Sequence, residues 1–246
     1  MKFDILYFPK LDSTNNKALE FLESGADEGL VIVADHQTAG RGRFGRRWVS
    51  DLGNLFASIT LRPNKPLQNL SEIAFVAAIA IGTALKEYLN DTPINLKYKW
   101  PNDILINSQK VAGILIESYS SGIQNIPEGC IVGMGVNIVS HPDFTVFPSN
   151  NLSNFSAKPI HRDDLLNLIL NHFEEVYYRW LVTGFLAIRD ELLDNIYGLG
   201  KVIHATSSKG VTHGIFEGLT DDGSVVLKDP QGQCITIRSS EVTFSS

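Results

Sequence analysis

Apolar residues at positions 70, 73, 74, 77, 81, 84, 85 and 88 recur at helical spacing over several turns, and many of the residues among them are alanine. Such a stretch has a stripe that must be buried, and its small side chains let it lie close against a sheet. The sequence after it changes period. Residues 96–100, 104–106, 110–118 and 130–139 are strand-like runs, with Asn107-Ser108 supplying one of the tight turns between them. A long apolar helix followed by strands on short turns predicts an α/β (α+β) layer fold, in which helices cover a mixed, largely antiparallel sheet.

The chain before that helix fits the same scheme. Residues 3–8 and 54–61 read as strands, and the β-branched run at 30–34 reads as a buried one. A short helix runs from Lys17 to a stop at Ser24-Gly25, with Asp12 or Ser13 as its cap. The five small polar residues Asp12-Ser13-Thr14-Asn15-Asn16 exceed what one cap requires, so a hydrogen-bonding surface for a polar ligand stays open beside the plain cap. Residues 140–159 carry Pro142, Pro148 and Pro159 and read as an irregular loop, and two scaffold helices follow at 162–181 and 185–196. Beyond Gly200 come short strands at 201–206, 212–219, 224–228 and 234–238. They are punctuated by Asp221-Asp222-Gly223 and Asp229-Pro230-Gln231-Gly232, the turn chemistry of a small SH3-like β-barrel. The expected division is 1–198 and 199–246.

The densest chemistry lies in residues 37–50, where four arginines (41, 43, 46, 47) and three glycines (40, 42, 45) fall within eight positions. Glycine lets backbone N–H groups approach a ligand, and arginine offers planar forks that match phosphate or carboxylate oxygens. Together they predict a flexible loop that closes on an anion. Gly40-Arg41-Gly42-Arg43-Phe44-Gly45 satisfies a dinucleotide-binding spacing, but the helix that should open at the third glycine is missing. The P-loop spacing fails too, since Arg46-Arg47 replaces the lysine and hydroxyl pair. With a net charge of −6 for 246 residues, the loop does not signal general nucleic-acid binding.

Three further motifs have bland local explanations. Lys99-Trp100-Pro101-Asn102-Asp103 presents Asn102 and Asp103 at a turn, which also describes an ordinary hairpin. Lys110 enters the otherwise apolar strand that carries Gly113 and Glu117, either facing a pocket or as an exposed strand end. Gly133, Gly135 and Asn137 share a strand in which glycine marks close approach by another group, or a core bulge. The N-terminus lacks a signal sequence, and the apolar run at 73–85 is interrupted and short for a bilayer. Cys130 and Cys234 read as buried free thiols of a reducing cytoplasm. The six histidines show no metal-ligand spacing.

Taken together and in order, these motifs resemble those of the biotin–protein ligases. Ser13-Thr14-Asn15, the loop from Gly40 to Ser50, Lys99 to Asp103, Lys110 to Glu117 and Gly133 to Asn137 each match. The resemblance spans the whole chain, and it implies a class II aminoacyl-tRNA synthetase-like catalytic domain before the barrel. It further implies that biotin and Mg-ATP form biotinyl-5′-AMP, and that a lysine of a biotin carboxyl carrier domain then takes the biotinyl group. Biotin and ATP are substrates and Mg²⁺ accompanies the nucleotide. Ser13, Thr14, Asn15, Gln37, Gly40, Arg41, Gly42, Arg43, Lys110 and Gly113 are implied to line the biotin site. Arg46, Trp48, Asn102 and Asn137 would serve the nucleotide, and Lys110, Arg43 and Asp103 the chemistry, with no protein-bound metal.

Phe44 stands where many members carry another arginine or a polar residue, and Ser239-Ser240-Glu241-Val242 lacks a frequent glycine. The first strand begins at residue 3, which leads to the expectation of a ligase without the winged DNA-binding domain of some members. Many members form homodimers through the catalytic sheet. The Arg-Arg-x-x-Gly-Gly-Gly motif of the lipoate ligases is missing, whereas a non-enzymatic biotin sensor would keep the pocket and have no need of Lys110.

Overall fold

The computed structural model describes residues 1–123, 125–143, 145, 147–207, 210–238 and 240–244. Phe144 and Val146 of the 140–159 loop, and Ser239, lie outside them.

Seven strands form the main sheet: β1 (Asp4–Phe8), β2 (Leu30–Ala34), β3 (Leu55–Leu61), β4 (Leu96–Lys99), β5 (Asp103–Ile106), β6 (Gln109–Tyr119) and β7 (Gly129–Val136). Their order is β1-β2-β3-β7-β6-β5-β4. Only β1 and β2 pair in parallel, because helix α1 (Thr14–Glu23) crosses between them. The expected mixed, mostly antiparallel sheet is therefore present.

Strand period sorts the side chains between the two faces. Leu55, Ala57, Ile59 and Leu61 of β3 join one large core with α2 (Ile73–Tyr88), α3 (Arg162–Thr183) and α4 (Leu186–Asp194). Ile32 and Ile131 face the other way and pack with Ala18 and Leu22 of α1. The predicted helix at 70–89 opens as a 3₁₀ turn over Leu67–Glu72 before the α-helix begins. The combined segment Leu67–Tyr88 is long and apolar enough to cross a membrane, more than its sequence reading allowed. Within this fold 72% of its most apolar window is buried. Gly184, at φ 75°, ends α3 and separates it from α4.

The second sheet contains β8 (Val202–Ser207), β9 (Gly210–Leu219), β10 (Val225–Lys228), β11 (Cys234–Ile237) and β12 (Glu241–Phe244), ordered β11-β10-β9-β8-β12. Four of these match the sequence reading. β12 was not foreseen: Ser-Glu-Val-Thr-Phe-Ser is too short and polar to stand out without its partner β8. Residues 221–223 do more than turn the chain. The carbonyl of Gly223 accepts from Trp100 Nε1 at 3.0 Å, and a Cβ on Gly223 would lie 2.4 Å from the Phe75 ring. The turn thereby seats the small sheet against α2 and the end of β4.

One expectation about the thiols is corrected. Cys130 is buried in β7, and burial pushes its thiol up to about 12, whereas Cys234 is exposed on β11. β11 is an edge strand of a small sheet, so a side chain on its outer face has nothing to cover it. Titration of the native protein with an aromatic disulfide should label Cys234 alone, and denaturant should release the second equivalent. Two fast equivalents in the native state would contradict this arrangement.

Candidate functional site

The loop predicted to be flexible is a hydrogen-bonded hairpin. Trp48 N donates to Gly40 O at 2.9 Å, Gly42 N to Arg46 O at 2.7 Å and Arg46 N to Arg43 O at 3.2 Å. Phe44 and Gly45 occupy its two central positions with φ of 56° and 71°. Two consecutive positive φ values match the twist of tight hairpins. Glycine adopts them at little cost; for Phe44 the cost is about 1–2 kcal/mol. The result is a firm turn with Arg43 and Arg46 at its shoulders.

Helix α1 is fastened to the entrance of this hairpin. Ser13 occupies the N-cap position but makes no side-chain cap bond, contrary to one reading of the sequence. Instead Thr14 N donates to Gln37 Oε1 at 2.8 Å, and Gln37 Nε2 donates to Ser50 Oγ at 3.0 Å. Ser58 Oγ donates within reach of both Thr14 Oγ1 (2.7 Å) and Asn15 Oδ1 (2.6 Å). Asn15 is 5% exposed and its amide needs space that only glycine leaves: a Cβ at Gly133 would lie 2.2 Å from Oδ1.

Two residues along β7 the same device recurs. A Cβ at Gly135 would fall 2.5 Å from Trp48 Cε2, and one at Gly113 would fall 2.8 Å from Cζ3. The glycines read from sequence as sites of close approach thus form a stripe under Asn15 and the Trp48 indole. Their spacing sets these two groups about 7 Å apart along the strand. Trp48 Nε1 is buried with no hydrogen-bond partner among the described residues. A buried donor left unpaired is costly, so its place in a cavity marks it for a ligand acceptor.

Lys110 reaches this face through a bulge. β5 and β6 pair Ile104 with Ala112 and Leu105 with Lys110, leaving Val111 as an extra residue. Regular alternation would have sent Lys110 to the helix face with Ala112 and Ile114. The bulge reverses that and aims it across the sheet at Asp103. Its Nζ lies 2.6 Å from Asp103 Oδ1 and 5.1 Å from the centre of the Trp48 ring. The Asp103 contact is an ion pair without hydrogen-bond alignment, and Oδ1 accepts no bond. Lys99 Nζ approaches the second oxygen at 3.8 Å and lies 5.1 Å from the Phe147 ring. Asn102 Nδ2 donates to Ile114 O at 2.7 Å and Asn137 Nδ2 to Asn150 O at 3.1 Å, so both amides are oriented by backbone.

These groups surround one cavity of about 870 Å³. Ser13, Thr14, Asn15 and Gln37 form one side of its lining, with Arg41, Gly42, Arg43, Arg46 and Trp48 over it. Lys110, Asp103, Asn102, Gly113 and Asn137 complete the set that the sequence singled out. Gly40 is not among the described lining residues. It is packed behind the hairpin, where a Cβ would meet Ser50 Oγ at 2.7 Å. The structure adds Phe147, Tyr197 and, from β12, Val242 to Phe244. Tyr197 stacks edge-on against Phe244 at 4.8 Å and Phe147 at 5.9 Å. Their convergence comes from three distant segments and left no local signal. Glu117 was visible, as a charge ending an apolar run in phase with Gly113, but carried no assigned role.

Asp103 is the one carboxylate among the described residues that line the cavity. No group of three or more His, Cys, Asp or Glu side chains among the described residues is placed to hold a metal ion. A divalent cation in this cavity would therefore draw most of its oxygen ligands from a bound ligand and water rather than from these side chains.

Comparison with known proteins agrees with this geometry. Residues 7–137 match the biotin/lipoate A/B protein ligase family, and residues 198–245 match the biotin protein ligase C-terminal domain. The chain is 35% identical over 242 residues to a biotin–[acetyl-CoA-carboxylase] ligase of Paracoccus denitrificans, covering 96% of this chain and 98% of that one. It is 34% identical to the bifunctional ligase/repressor BirA of Bacillus subtilis, covering 93% of this chain and 70% of that protein. Among solved structures, the biotin protein ligase of Aquifex aeolicus in complex with biotin and ATP superposes with a TM-score of 0.84 at 26% identity. That match covers 98% of this chain and 99% of the other. The chain belongs to the biotin/lipoate A/B protein ligase family and, within it, to the biotin protein ligases.

Proposed function

We propose that this protein condenses biotin with ATP to biotinyl-5′-AMP, releasing pyrophosphate, and passes the biotinyl group to a lysine of a carrier domain in the cytoplasm. The observation that carries this reading is the single cavity in which a neutral hydrogen-bonding end adjoins a cationic, aromatic one. Ser13, Thr14, Asn15 and Gln37 suit the ureido ring of biotin, a neutral group with both donors and acceptors. Arg43 and Lys110 suit the place where the biotin carboxylate attacks the α-phosphorus. Arg46, Trp48, Asn102 and Asn137 suit the nucleotide.

The first step brings a carboxylate against a polyanion, and it proceeds only where positive charge is already in place. Lys110 is oriented by Asp103 and can move from that carboxylate to phosphoryl oxygens. Magnesium supplies further charge neutralisation on the phosphates when bound. The anhydride hydrolyses readily in water, so the hairpin at 40–48 acts as its cover. In the second step the amine of the carrier lysine attacks the anhydride carbonyl, and AMP leaves. Asp103, at the cavity wall, is within the region the amine must enter. The division at 198/199 belongs to the same reading, with β12 lending a wall to the catalytic domain. So does a homodimer, for which the edge strand β1, with Leu6 and Tyr7 exposed, offers one surface.

Purified protein given ATP, Mg²⁺ and biotin should label the lysine of an isolated biotin carboxyl carrier domain, and should accumulate biotinyl-AMP when the carrier is omitted. Neither product from correctly folded protein would overturn the assignment. Lipoyl transfer in place of biotinyl transfer would favour the other branch of the family.

A further inference from the structure

We propose that Glu117 is the positioning residue that latches the arginine hairpin over the cavity, acting through Arg41. This rests on the ligase reading above. Three elements meet at its carboxylate. From the hairpin, Arg41 Nη2 lies 3.2 Å from both Glu117 oxygens, and Arg41 Nη1 donates to Asn16 Oδ1 at 2.7 Å. From α1, Asn15 Nδ2 donates to Glu117 Oε2 at 2.6 Å. Glu117 itself sits on β6, four residues beyond Gly113 and on the same face.

The arrangement divides labour among the loop arginines. Arg41 commits its guanidinium to a carboxylate and an amide of the protein, so its charge is already matched before a ligand arrives. The hairpin's other cavity-lining arginines are Arg43, Arg46 and Arg47, the first two at the shoulders of its turn. Arg41 therefore closes the cover, and a second consequence follows at Asn15. Donation from Nδ2 to Glu117, with acceptance at Oδ1 from Ser58, fixes which way the amide faces. One carboxylate thus sets both the position of the cover and the orientation of a polar group beneath it.

The strength of the contact suits a latch. Arg41 and Glu117 are each 36% exposed, so water screens the pair and the bond can open for substrates and for the carrier lysine. The charge still matters, because hydrogen bonds with an ionised partner are roughly twice as strong as neutral ones.

Glu117→Gln keeps the shape and removes the charge. In ligand-free protein, backbone amides of residues 40–48 should exchange hydrogen faster, with the remainder of β6 unchanged. Enzyme loaded with biotin and Mg-ATP, then treated with pyrophosphatase, should release biotinyl-AMP about fivefold faster than wild type. The KM for biotin should rise more than kcat falls, and Glu117→Asp should restore part of the retention. Arg41→Met combined with Glu117→Gln should behave like the worse single variant, since both changes break one contact.

Wild-type exchange at 40–48 and wild-type release in Glu117→Gln would overturn the latch. So would faster exchange throughout β6 with a lowered melting temperature, which would make Glu117 a fold residue. If wild type forms no adenylate, it is the ligase reading that fails, and the exchange measurement still tests the latch.

Discussion

Lys110→Ala is expected to slow adenylate formation by about 10²–10³-fold while the protein keeps its fold. The size follows from what the ammonium opposes. A carboxylate and a polyphosphate must come into contact in a cavity partly closed from water, where unscreened charge is felt strongly. Lys110 is the only lysine besides Lys99 among the described lining residues, and the bulge at Val111 exists to aim it there. The fold tolerates its loss because Lys99 remains beside the second oxygen of Asp103. Pyrophosphate release under single-turnover conditions reads the step directly, and circular dichroism checks the fold. Wild-type turnover in this variant would remove Lys110 from the mechanism.

The second large effect is expected at a residue with no functional groups. Gly135→Ala would place a methyl group 2.5–2.6 Å from three atoms of the Trp48 indole. Contacts that short do not occur, so the ring must leave its seat. The backbone of β7 is fixed on both sides by pairing with β3 and β6 and cannot give way. Displacing a positioning group by about 1 Å can cost on the order of a hundredfold. We expect kcat/KM for ATP to fall by about tenfold to a hundredfold. Biotin affinity measured by calorimetry should change far less, since Asn15 sits over Gly133 and not over Gly135. An unchanged KM for ATP would show that Trp48 does not serve the nucleotide.

Much of the architecture could be read in the chain before folding. The period-2 strands and the alanine-rich helix are local patterns, and their burial is local arithmetic of which residues water rejects. The polar run at 12–16, the Gly/Arg loop and the glycines of β7 were equally visible, because each breaks the rule of its own element. Glycine in a central strand, or five small polar residues ahead of a helix, costs stability unless something uses it. What those features approached was not visible. That Gly133 makes room for Asn15, and Gly135 for Trp48, depends on register between strands about 80 residues apart in sequence.

Where the reading failed, the cause was a partner supplied from far along the chain, or one that the sheet's edge left out. Ser13 lost its capping role to Gln37, β12 needed β8 to be a strand, and Cys234 was exposed because its sheet ends at β11. The sequence by itself determined which elements form, which faces are apolar and which residues carry charge, because these follow from composition and spacing within single segments. Only the tertiary structure decided that Lys110 faces the cavity, that Arg41 meets Glu117, and that the last strand lines that cavity. Those outcomes rest on a one-residue bulge, a hairpin's closure and a docked second sheet, none of which a local pattern encodes.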